Sequence, residues 1–162
     1  MISLAYMQVQ FKTGEIDGVI VRELRYFQDK RGWLAELFRE DELPEGFNPQ
    51  MAYVSMTQPA QVRGPHEHVE QTDYFCFLGD FALYLWDSRP AGRTYGTRLV
   101  IRDARNKIVI VPPGIVHAYK NVSGEPGLVI NLPDRLYAGW QRAREVDEIR
   151  HEDVPDSPYV ID

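Results

Sequence analysis

The chain has very little cysteine and no long hydrophobic run, and both absences restrict what it can be. Cys76 is the only cysteine among 162 residues, so an internal disulfide is excluded, which fits a reducing compartment. No stretch approaches the roughly 18 apolar residues needed to cross a bilayer, and the first eight residues lack the features of a secretory leader. We therefore expect a cytoplasmic protein with no membrane partner, in which Cys76 fills space in the core.

The chain also has fewer basic residues than acidic ones. Lys and Arg together number 18 against 24 Asp and Glu, which gives a net charge of −6. A surface of this sign repels a phosphate backbone, so we expect no nucleic-acid partner. A small anionic ligand can still bind where a few arginines gather in one pocket, and Arg31 and Arg63 are the candidates.

The composition is that of an ordinary folded protein. Hydrophobic residues make up 44% and aromatic residues 12%, and the length suits one buried core, so we expect a single domain over residues 1–162. Short runs rich in Val, Ile, Tyr and Phe are separated by Gly, Pro, Asp and Asn, as in strands joined by turns. Many short strands at this spacing predict an all-β sandwich or barrel. The predicted strands are 19–24, 33–38, 52–57, 74–78, 81–86, 97–101, 107–111, 117–122 and 128–132.

Three other stretches have a different pattern. The charged segment 39–46 predicts a short helix or a solvated loop. The segment 138–152 has weak helical spacing, which predicts a surface element leading into the C-terminal tail. The alternation at 158–161 could add a last strand.

Three of the four histidines fall in two strand-and-turn segments, 63–68 (RGPHEH) and 112–121 (PPGIVHAYKN). Because side chains alternate along a strand, His66 and His68 face the same way, and His117 could join them from a neighbouring strand. The spacing alone leaves open whether this is a site or a coincidence.

The same segments resemble the two signature motifs of the cupin superfamily. His66, His68 and Asp73 form an HxHx4D pattern, with Asp73 in place of the usual Glu, and 112–121 reads PxGxxHxxxN. The resemblance implies a cupin double-stranded β-helix, or jelly-roll barrel, with N-terminal strands and a short C-terminal helical or tail segment. The pocket of such a fold lies inside the barrel.

A second resemblance narrows the family. The segment 29–38 (DKRGWLAELF) looks like the DxRGxxxExF segment of dTDP-4-dehydrorhamnose 3,5-epimerases. Ser55 precedes 63–66 (RGPH) at the distance seen in those enzymes, and 87–89 (DSR) and 111–119 resemble two further family segments. The resemblance implies a cofactor-free epimerase or isomerase that removes a proton beside the ketone of a dTDP-4-keto-6-deoxyhexose. It also implies a homodimer, often with an N-terminal strand that crosses to the partner.

The family resemblance assigns roles to individual residues. It makes His66 the base, oriented by Asp156 or, failing that, Asp153. It places Arg31 and Arg63 on the diphosphate. His68 stands where these epimerases usually have a residue that is not a metal ligand, and we assign it to the substrate site. The remaining substrate-binding residues are His117 beside the sugar and Glu36 at the nucleotide end.

The chain also departs from the family. Ile130 stands where the family has its tyrosine acid, and Thr72 stands where it has a lysine that stabilises the enolate. Tyr74, Tyr119 and Tyr137 are candidate replacement acids, and His68 is a candidate replacement for the lysine. The sequence favours none of them over the others. A single epimerisation or a keto isomerisation is therefore nearly as well supported as the 3,5 reaction.

Two alternatives belong to other classes. In one, His66, His68, Asp73 and His117 hold Fe, Mn, Ni or Zn as a divalent transition-metal cofactor of a cupin enzyme. In the other, the chain binds a nucleotide sugar without turning it over.

Overall fold

A computed structural model describes residues 9–162, so our expectation about a leader in the first eight residues lies outside it. The described residues contain strands and two 3₁₀ turns, Glu40–Glu42 and Trp140–Arg142, and no α-helix, which confirms the all-β prediction. None of the described helical turns is long and apolar enough to span a membrane. The strands are β1 Lys12–Thr13, β2 Ile20–Glu23, β3 Arg25–Asp29, β4 Gly32–Glu36, β5 Tyr53–Thr57, β6 Val62–Glu67, β7 Asp73–Phe77, β8 Phe81–Asp87, β9 Thr97–Ile101, β10 Lys107–Val111, β11 Ile115–Asn121, β12 Gly127–Asn131 and β13 Ile149–Arg150.

Two sheets and a hairpin make up the fold. The six-stranded sheet has the order β1-β9-β8-β11-β6-β13 and the five-stranded sheet the order β2-β10-β7-β12-β5. Within residues 9–162, β3 and β4 pair only with each other. Neighbours in the two sheets are antiparallel except β1 and β9. The crossed strand order is that of a jelly roll, as the cupin resemblance implies.

The main core lies between the two sheets. Phe75 and Phe77 of β7 point into it from one sheet, and Leu83 and Leu85 of β8 from the other. Every residue of β7 and β8 is buried, because each sheet is also covered on its outer face. On the five-stranded sheet that cover includes Leu37, Leu43 and Phe47, and on the six-stranded sheet Phe11, Tyr159 and Ile161.

Four observed strands are missing from the predicted list, namely β1, β3, β6 and β13, although the segment 63–68 was interpreted as a strand and turn. β6 reads VRGPHE, whose glycine and proline are poor strand formers, and it is held by pairing with β11 and β13. β1 and β13 are only two residues long. Pairing partners distant in sequence, rather than local propensity, decide these strands.

The C-terminal predictions were partly wrong. The segment 138–152 contains only a three-residue 3₁₀ turn and the short strand β13, because Ala138, Gln141 and Arg142 have positive φ angles that interrupt a helix. The residues 158–161 form no strand. Their side chains Tyr159 and Ile161 instead pack on the outer face of the six-stranded sheet.

Candidate functional site

A cavity of about 1070 Å³ lies between strands β5 and β6. These strands belong to different sheets, and β5 is the edge strand of its own. Tyr53 and Ser55 line the cavity from β5, and Arg63 and His66 line it from β6. The segment 133–152 supplies much of the remaining wall, so the stretch that we predicted to be a surface element is part of the cavity.

Three histidines converge at the inner end of this cavity. His66 of β6 lies directly opposite His117 of β11 in the antiparallel register, and their ring centroids are 4.5 Å apart. His68 follows β6 on the same face, with its ring 5.9 Å from that of His66 and 5.7 Å from that of His117. One ring nitrogen from each lies within 4.8 Å of the others.

Asp73 holds this cluster together. Its carboxylate is 1% exposed, and its Oδ2 lies 3.2 Å from Nε2 of both His68 and His117. Its Oδ1 accepts hydrogen bonds of 2.8 Å from the side-chain amides of Gln71 and Asn131. Burial alone would raise the pKa of this carboxyl, but the imidazoles of His117 and His68 hold it well below its usual value. Asp73 is therefore a buried anion at neutral pH.

His68 is the cation that faces this anion. Burial alone would lower its pKa, but the hydrogen bond and charge of Asp73, with the backbone and side chain of Asp147, raise it to about 9. Nδ1 of His68 contacts the carbonyl oxygen of Asp147, and the Asp147 carboxylate accepts the backbone N–H groups of Val69, Glu70 and Gln71. The ring is thus clamped between Asp73 and Asp147.

His66 has the opposite electrostatic environment. Burial, together with the charges of His117 and His68, lowers its pKa to about 2. Its Nδ1 lies 3.9 Å from Glu148 Oε1 and 3.8 Å from Glu152 Oε1. His66 is consequently neutral at pH 7 and can accept a proton, and two carboxylates stand ready to stabilise the imidazolium that forms.

The carboxylates beside His66 are not the ones that the sequence suggested. Asp156 and Asp153 are exposed in the tail, Asp156 at φ 60°, and neither pairs with His66 among the described residues. Glu148 and Glu152 were missed because their segment was interpreted as a surface element. Glu148, Arg150 and Glu152 are spaced by two residues, as side chains on one face of a strand are. This spacing was the available sign of a strand here, and Arg150 does pair with His66 in the β6–β13 register.

Arg31 and Glu36 do not line the cavity. Arg31 lies at the turn of the β3–β4 hairpin, its side chain 84% exposed and paired with Asp29. Glu36 ends β4 on the same hairpin. Within one chain, the structure therefore gathers Arg63, His66, His68 and His117 at the cavity, whereas Arg31 and Glu36 lie on the hairpin away from it.

The cavity wall contains arginines that sequence analysis did not select. Arg135, Arg142, Arg144 and Arg150 line it in addition to Arg63, alongside carboxylates from the same segment. Arg150 is paired with Glu148, at 2.9 Å. In the described part of the chain, the guanidinium groups of Arg142 and Arg144 form no ion pair. They are free to meet an anion.

The sequence is similar to a known protein family and to individual relatives over most of its length. A protein-family model described as dTDP-4-dehydrorhamnose 3,5-epimerase matches residues 13–146. The chain is 37% identical over 126 residues to the probable low-salt glycan biosynthesis epimerase Agl13 of Haloferax volcanii, which covers 75% of this chain and 81% of that one. It is 35% identical over 119 residues to the spore coat polysaccharide biosynthesis protein SpsL of Bacillus subtilis, which covers 71% and 77%.

The fold is also similar to solved structures. The crystal structure of a dTDP sugar isomerase from Desulfovibrio desulfuricans superposes with a TM-score of 0.74 at 23% identity. The match covers 89% of this chain and 88% of that one. At this level of identity the likeness supports the jelly-roll fold.

Proposed function

Because the chain belongs to the dTDP-4-dehydrorhamnose 3,5-epimerase family, we propose that it epimerises or isomerises a nucleotide-diphosphate sugar of the dTDP-4-keto-6-deoxyhexose type. The reaction begins when His66 removes a proton from a carbon next to the ketone. The observation that carries the proposal is the charge pattern around His66, which is kept neutral while a cation and an anion are fixed beside it. A neutral imidazole facing a cavity has a lone pair free to accept a proton, and the carboxylates of Glu148 and Glu152 beside its Nδ1 favour the protonated form.

The cluster around His66 also suits the charges that the reaction creates. Proton removal leaves an imidazolium on His66 and an enolate on the sugar. Glu148 and Glu152 offset the first charge, and the imidazolium of His68, held by Asp73, lowers the energy of the second. We propose His68 in this way as the replacement for the family lysine. No redox or group-carrying cofactor is needed, because the steps are proton transfers.

The diphosphate would lie against the arginines of the cavity. Arg63 is held by Thr57 Oγ1 at 2.9 Å and by the carbonyl of Met56 at 2.8 Å, which fixes its fork at the wall. Arg142 and Arg144 reach the cavity from the opposite segment without an ion-pair partner among the described residues. Forked donors of this kind match the oxygens of a diphosphate.

We propose further that the protein acts as a cytoplasmic homodimer. Phe27, Trp33 and Leu34 of the β3–β4 hairpin and Val54 of the edge strand β5 are each more than half exposed. Large exposed apolar side chains on a hairpin and on an edge strand favour a protein contact. Arg31 does not line the cavity of its own chain, so we propose that its predicted phosphate role depends on a second copy of the chain. Light scattering after size-exclusion chromatography measures the mass, and a monomer at micromolar concentration would contradict it.

The test of the proposed reaction is proton exchange. We expect the purified protein, incubated in D2O with dTDP-4-keto-6-deoxyglucose, to place deuterium on a carbon beside the ketone, as followed by NMR. His66→Asn should abolish this exchange while dTDP binding persists. Binding without exchange would identify an inert nucleotide-sugar binder, and neither binding nor exchange would refute the proposal altogether.

The carboxylate partner of His66 can be tested in the same assay. We expect the double variant Glu148→Gln, Glu152→Gln to slow exchange, because the imidazolium then forms without a counter-charge. Asp156→Asn is the comparison variant. A loss confined to Asp156→Asn would support the pairing suggested by the sequence and refute the one suggested by the geometry.

A metal centre at the same histidines is the second candidate. The cupin motifs imply a metal held by His66, His68, Asp73 and His117, and the three imidazoles do converge. Nε2 of His117 is buried and has only the Asp73 carboxylate beside it among the described residues, at 3.2 Å without good hydrogen-bond geometry, as expected of two ligands of one metal. Imidazole and carboxylate donors suit Fe, Mn, Ni or Zn, which would supply a Lewis acid to the substrate oxygen.

The two candidate functions exclude each other at His66. A ring nitrogen bound to a metal cannot also accept a proton. An enzyme that uses His66 as its base is therefore different from one that uses His66 as a metal ligand. Elemental analysis of protein purified without chelators separates them. We expect less than about a tenth of an equivalent of any transition metal if His66 is the base, and close to one equivalent would establish the metal centre.

A further inference from the structure

Inversion at a carbon requires a second group that returns a proton from the face opposite the base. Ile130 of β12 stands where the family resemblance puts this acid, but its side chain packs with Tyr74 and Cys76 on the outer face of the five-stranded sheet. The next residue, Asn131, has the opposite orientation and is 1% exposed. The inner face of β12 therefore presents an amide where an acid is needed.

The oxygen and both N–H groups of the Asn131 side-chain amide form hydrogen bonds. Its Oδ1 accepts the backbone N–H of Tyr74 at 2.9 Å, and its Nδ2 donates to Asp73 Oδ1 at 2.8 Å and to the hydroxyl oxygen of Tyr53 at 3.0 Å. Tyr53 lies directly opposite Asn131 in the β5–β12 register. Because this amide can only donate to the phenol, the hydroxyl of Tyr53 must direct its own hydrogen elsewhere.

The hydroxyl hydrogen of Tyr53 has no acceptor among residues 9–162. Tyr53 lines the cavity from β5, whereas His66 lines it from β6 in the other sheet. A short chain of contacts joins them. It runs from the Tyr53 hydroxyl through Asn131 and Asp73 to Nε2 of His117, whose ring lies 4.5 Å from that of His66.

We propose that Tyr53 is the general acid of this site, facing His66 across the substrate. This assignment rests on the proposed function and deepens it. His66 takes the proton from the carbon beside the ketone, and the electron pair of the broken C–H bond moves into the enolate. The Tyr53 O–H bond then breaks, its proton joins the same carbon from the other face, and the carbonyl re-forms. Proton exchange with solvent afterwards restores neutral His66 and the phenol.

The environment of Tyr53 suits both states of this cycle. Tyr53 is 44% exposed as a residue, but its hydroxyl end reaches the interior, where it meets the buried Asn131. Desolvation there, with the negative charge of Asp73, raises the pKa of the hydroxyl above the ordinary value, so the group stays protonated until the enolate forms. A carbon beside a ketone is a weaker acid than a phenol, so proton transfer to the enolate carbon is still favourable. The Asn131 amide donates to the phenolate that results.

The other tyrosines near the site are less suitable. Tyr74 donates to the carbonyl of Leu37 at 3.0 Å, outside the cavity. The hydroxyl of Tyr119 shares a hydrogen bond of 3.1 Å with Ser55, and the ring is 5% exposed and packed among Phe75, Phe77 and Phe81. Tyr137 lines the cavity from a loop and is 55% exposed. No side-chain hydrogen bond holds the Tyr137 hydroxyl within the described part of the chain.

The test compares inversion with exchange at the same carbon. In D2O, loss of the acid should leave His66 able to remove a proton and return deuterium from its own face, because its side chain is still 17% exposed and exchanges with solvent. For Tyr53→Phe we expect inversion to fall by about 10² to 10⁴, the usual worth of a general acid, and exchange to change less than about tenfold. Affinity for dTDP, measured by calorimetry, should be unchanged.

Two further variants complete the experiment. Tyr95→Phe, on an exposed loop away from the cavity, should behave as the unmodified protein. Inversion by Tyr53→Phe at the unmodified rate would overturn the assignment, as would an equal fall in inversion and exchange. Selective loss of inversion in Tyr119→Phe alone would move the role to that residue. If the unmodified protein gives no exchange at all, the proposed function itself fails. If the unmodified protein exchanges the proton and Tyr53→Phe still inverts the carbon at the full rate, only the role of Tyr53 is refuted.

Discussion

Replacing Asp73 by Asn should remove the charge that keeps His68 protonated. In the folded protein the pKa of His68 is raised to about 9, against an ordinary value of 6.5 for histidine. Because this pKa is raised on folding, protonation of His68 adds stability that is fully present below pH 6.5 and is lost as the pH rises through about 9. Without the Asp73 charge, the folded pKa should return toward the unfolded value and this pH-dependent stability should disappear.

The size of the effect follows from the shift. A difference of one pKa unit corresponds to about 1.4 kcal/mol, and the His68 side chain is only 11% exposed, so solvent screening is weak. Between pH 6.5 and pH 9.5, deprotonation of His68 should lower the free energy of unfolding of the unmodified protein by roughly 3 kcal/mol. The variant should show no such decrease. The stability difference between the two proteins should therefore shrink by that amount across this range.

Urea unfolding at a series of pH values measures this difference directly. A chelator in the buffer keeps metal ions from competing for the histidines. Glu45→Gln, which changes the same charge at an exposed position, is the matched control and should give a pH-independent difference. A stability gap for Asp73→Asn that varies by less than about 1 kcal/mol between pH 6.5 and 9.5 would refute the reasoning.

Three other substitutions test single contacts. Arg63→Ala should weaken dTDP binding by about 10- to 100-fold in calorimetry, the worth of one charged hydrogen bond, and unchanged affinity would remove Arg63 from the phosphate site. Asp147→Ala leaves the N–H groups of 69–71 without their acceptor and should lower the free energy of unfolding by about 2 kcal/mol in urea; a neutral effect would show that water replaces the carboxylate. Gly64→Ala places a Cβ 2.5 Å from the carbonyl oxygen of His117 at φ +85°, so we expect a loss of about 3 kcal/mol or more, and a melting temperature near that of the unmodified protein would contradict the close approach of β6 and β11.

Much of the fold was predictable because most strands are apolar on at least one face. Nine strands were predicted from local pattern, and two of them, β9 and β10, have the predicted bounds. The remaining strands depend on distant partners. β6 is the clearest case, since a chain reading VRGPHE becomes a strand only between β11 and β13.

The candidate site was predictable where it depends on side-chain period. His66 and His68 share a face because they are two residues apart, and His117 joins them by pairing of β11 with β6. The alternation of Glu148 and Glu152 about Arg150 is compatible with a strand, but the sequence alone does not show that this strand pairs with β6 beside His66. The prediction that Asp156 orients His66 still awaits a test, and the structure supplies other carboxylates at that place.

The amino-acid sequence by itself determined the all-β class, the two histidine segments and the family, since these depend on residue identity and on short-range spacing. Only the tertiary structure decided what each group can do. His66 and His68 are the same residue type on the same strand face, yet burial lowers the pKa of one while Asp73 and Asp147 raise the pKa of the other. Likewise, Tyr53 gains its proposed role from Asn131, a residue 78 positions away. Such assignments depend on electrostatic and hydrogen-bond partners that the fold brings together from distant parts of the chain.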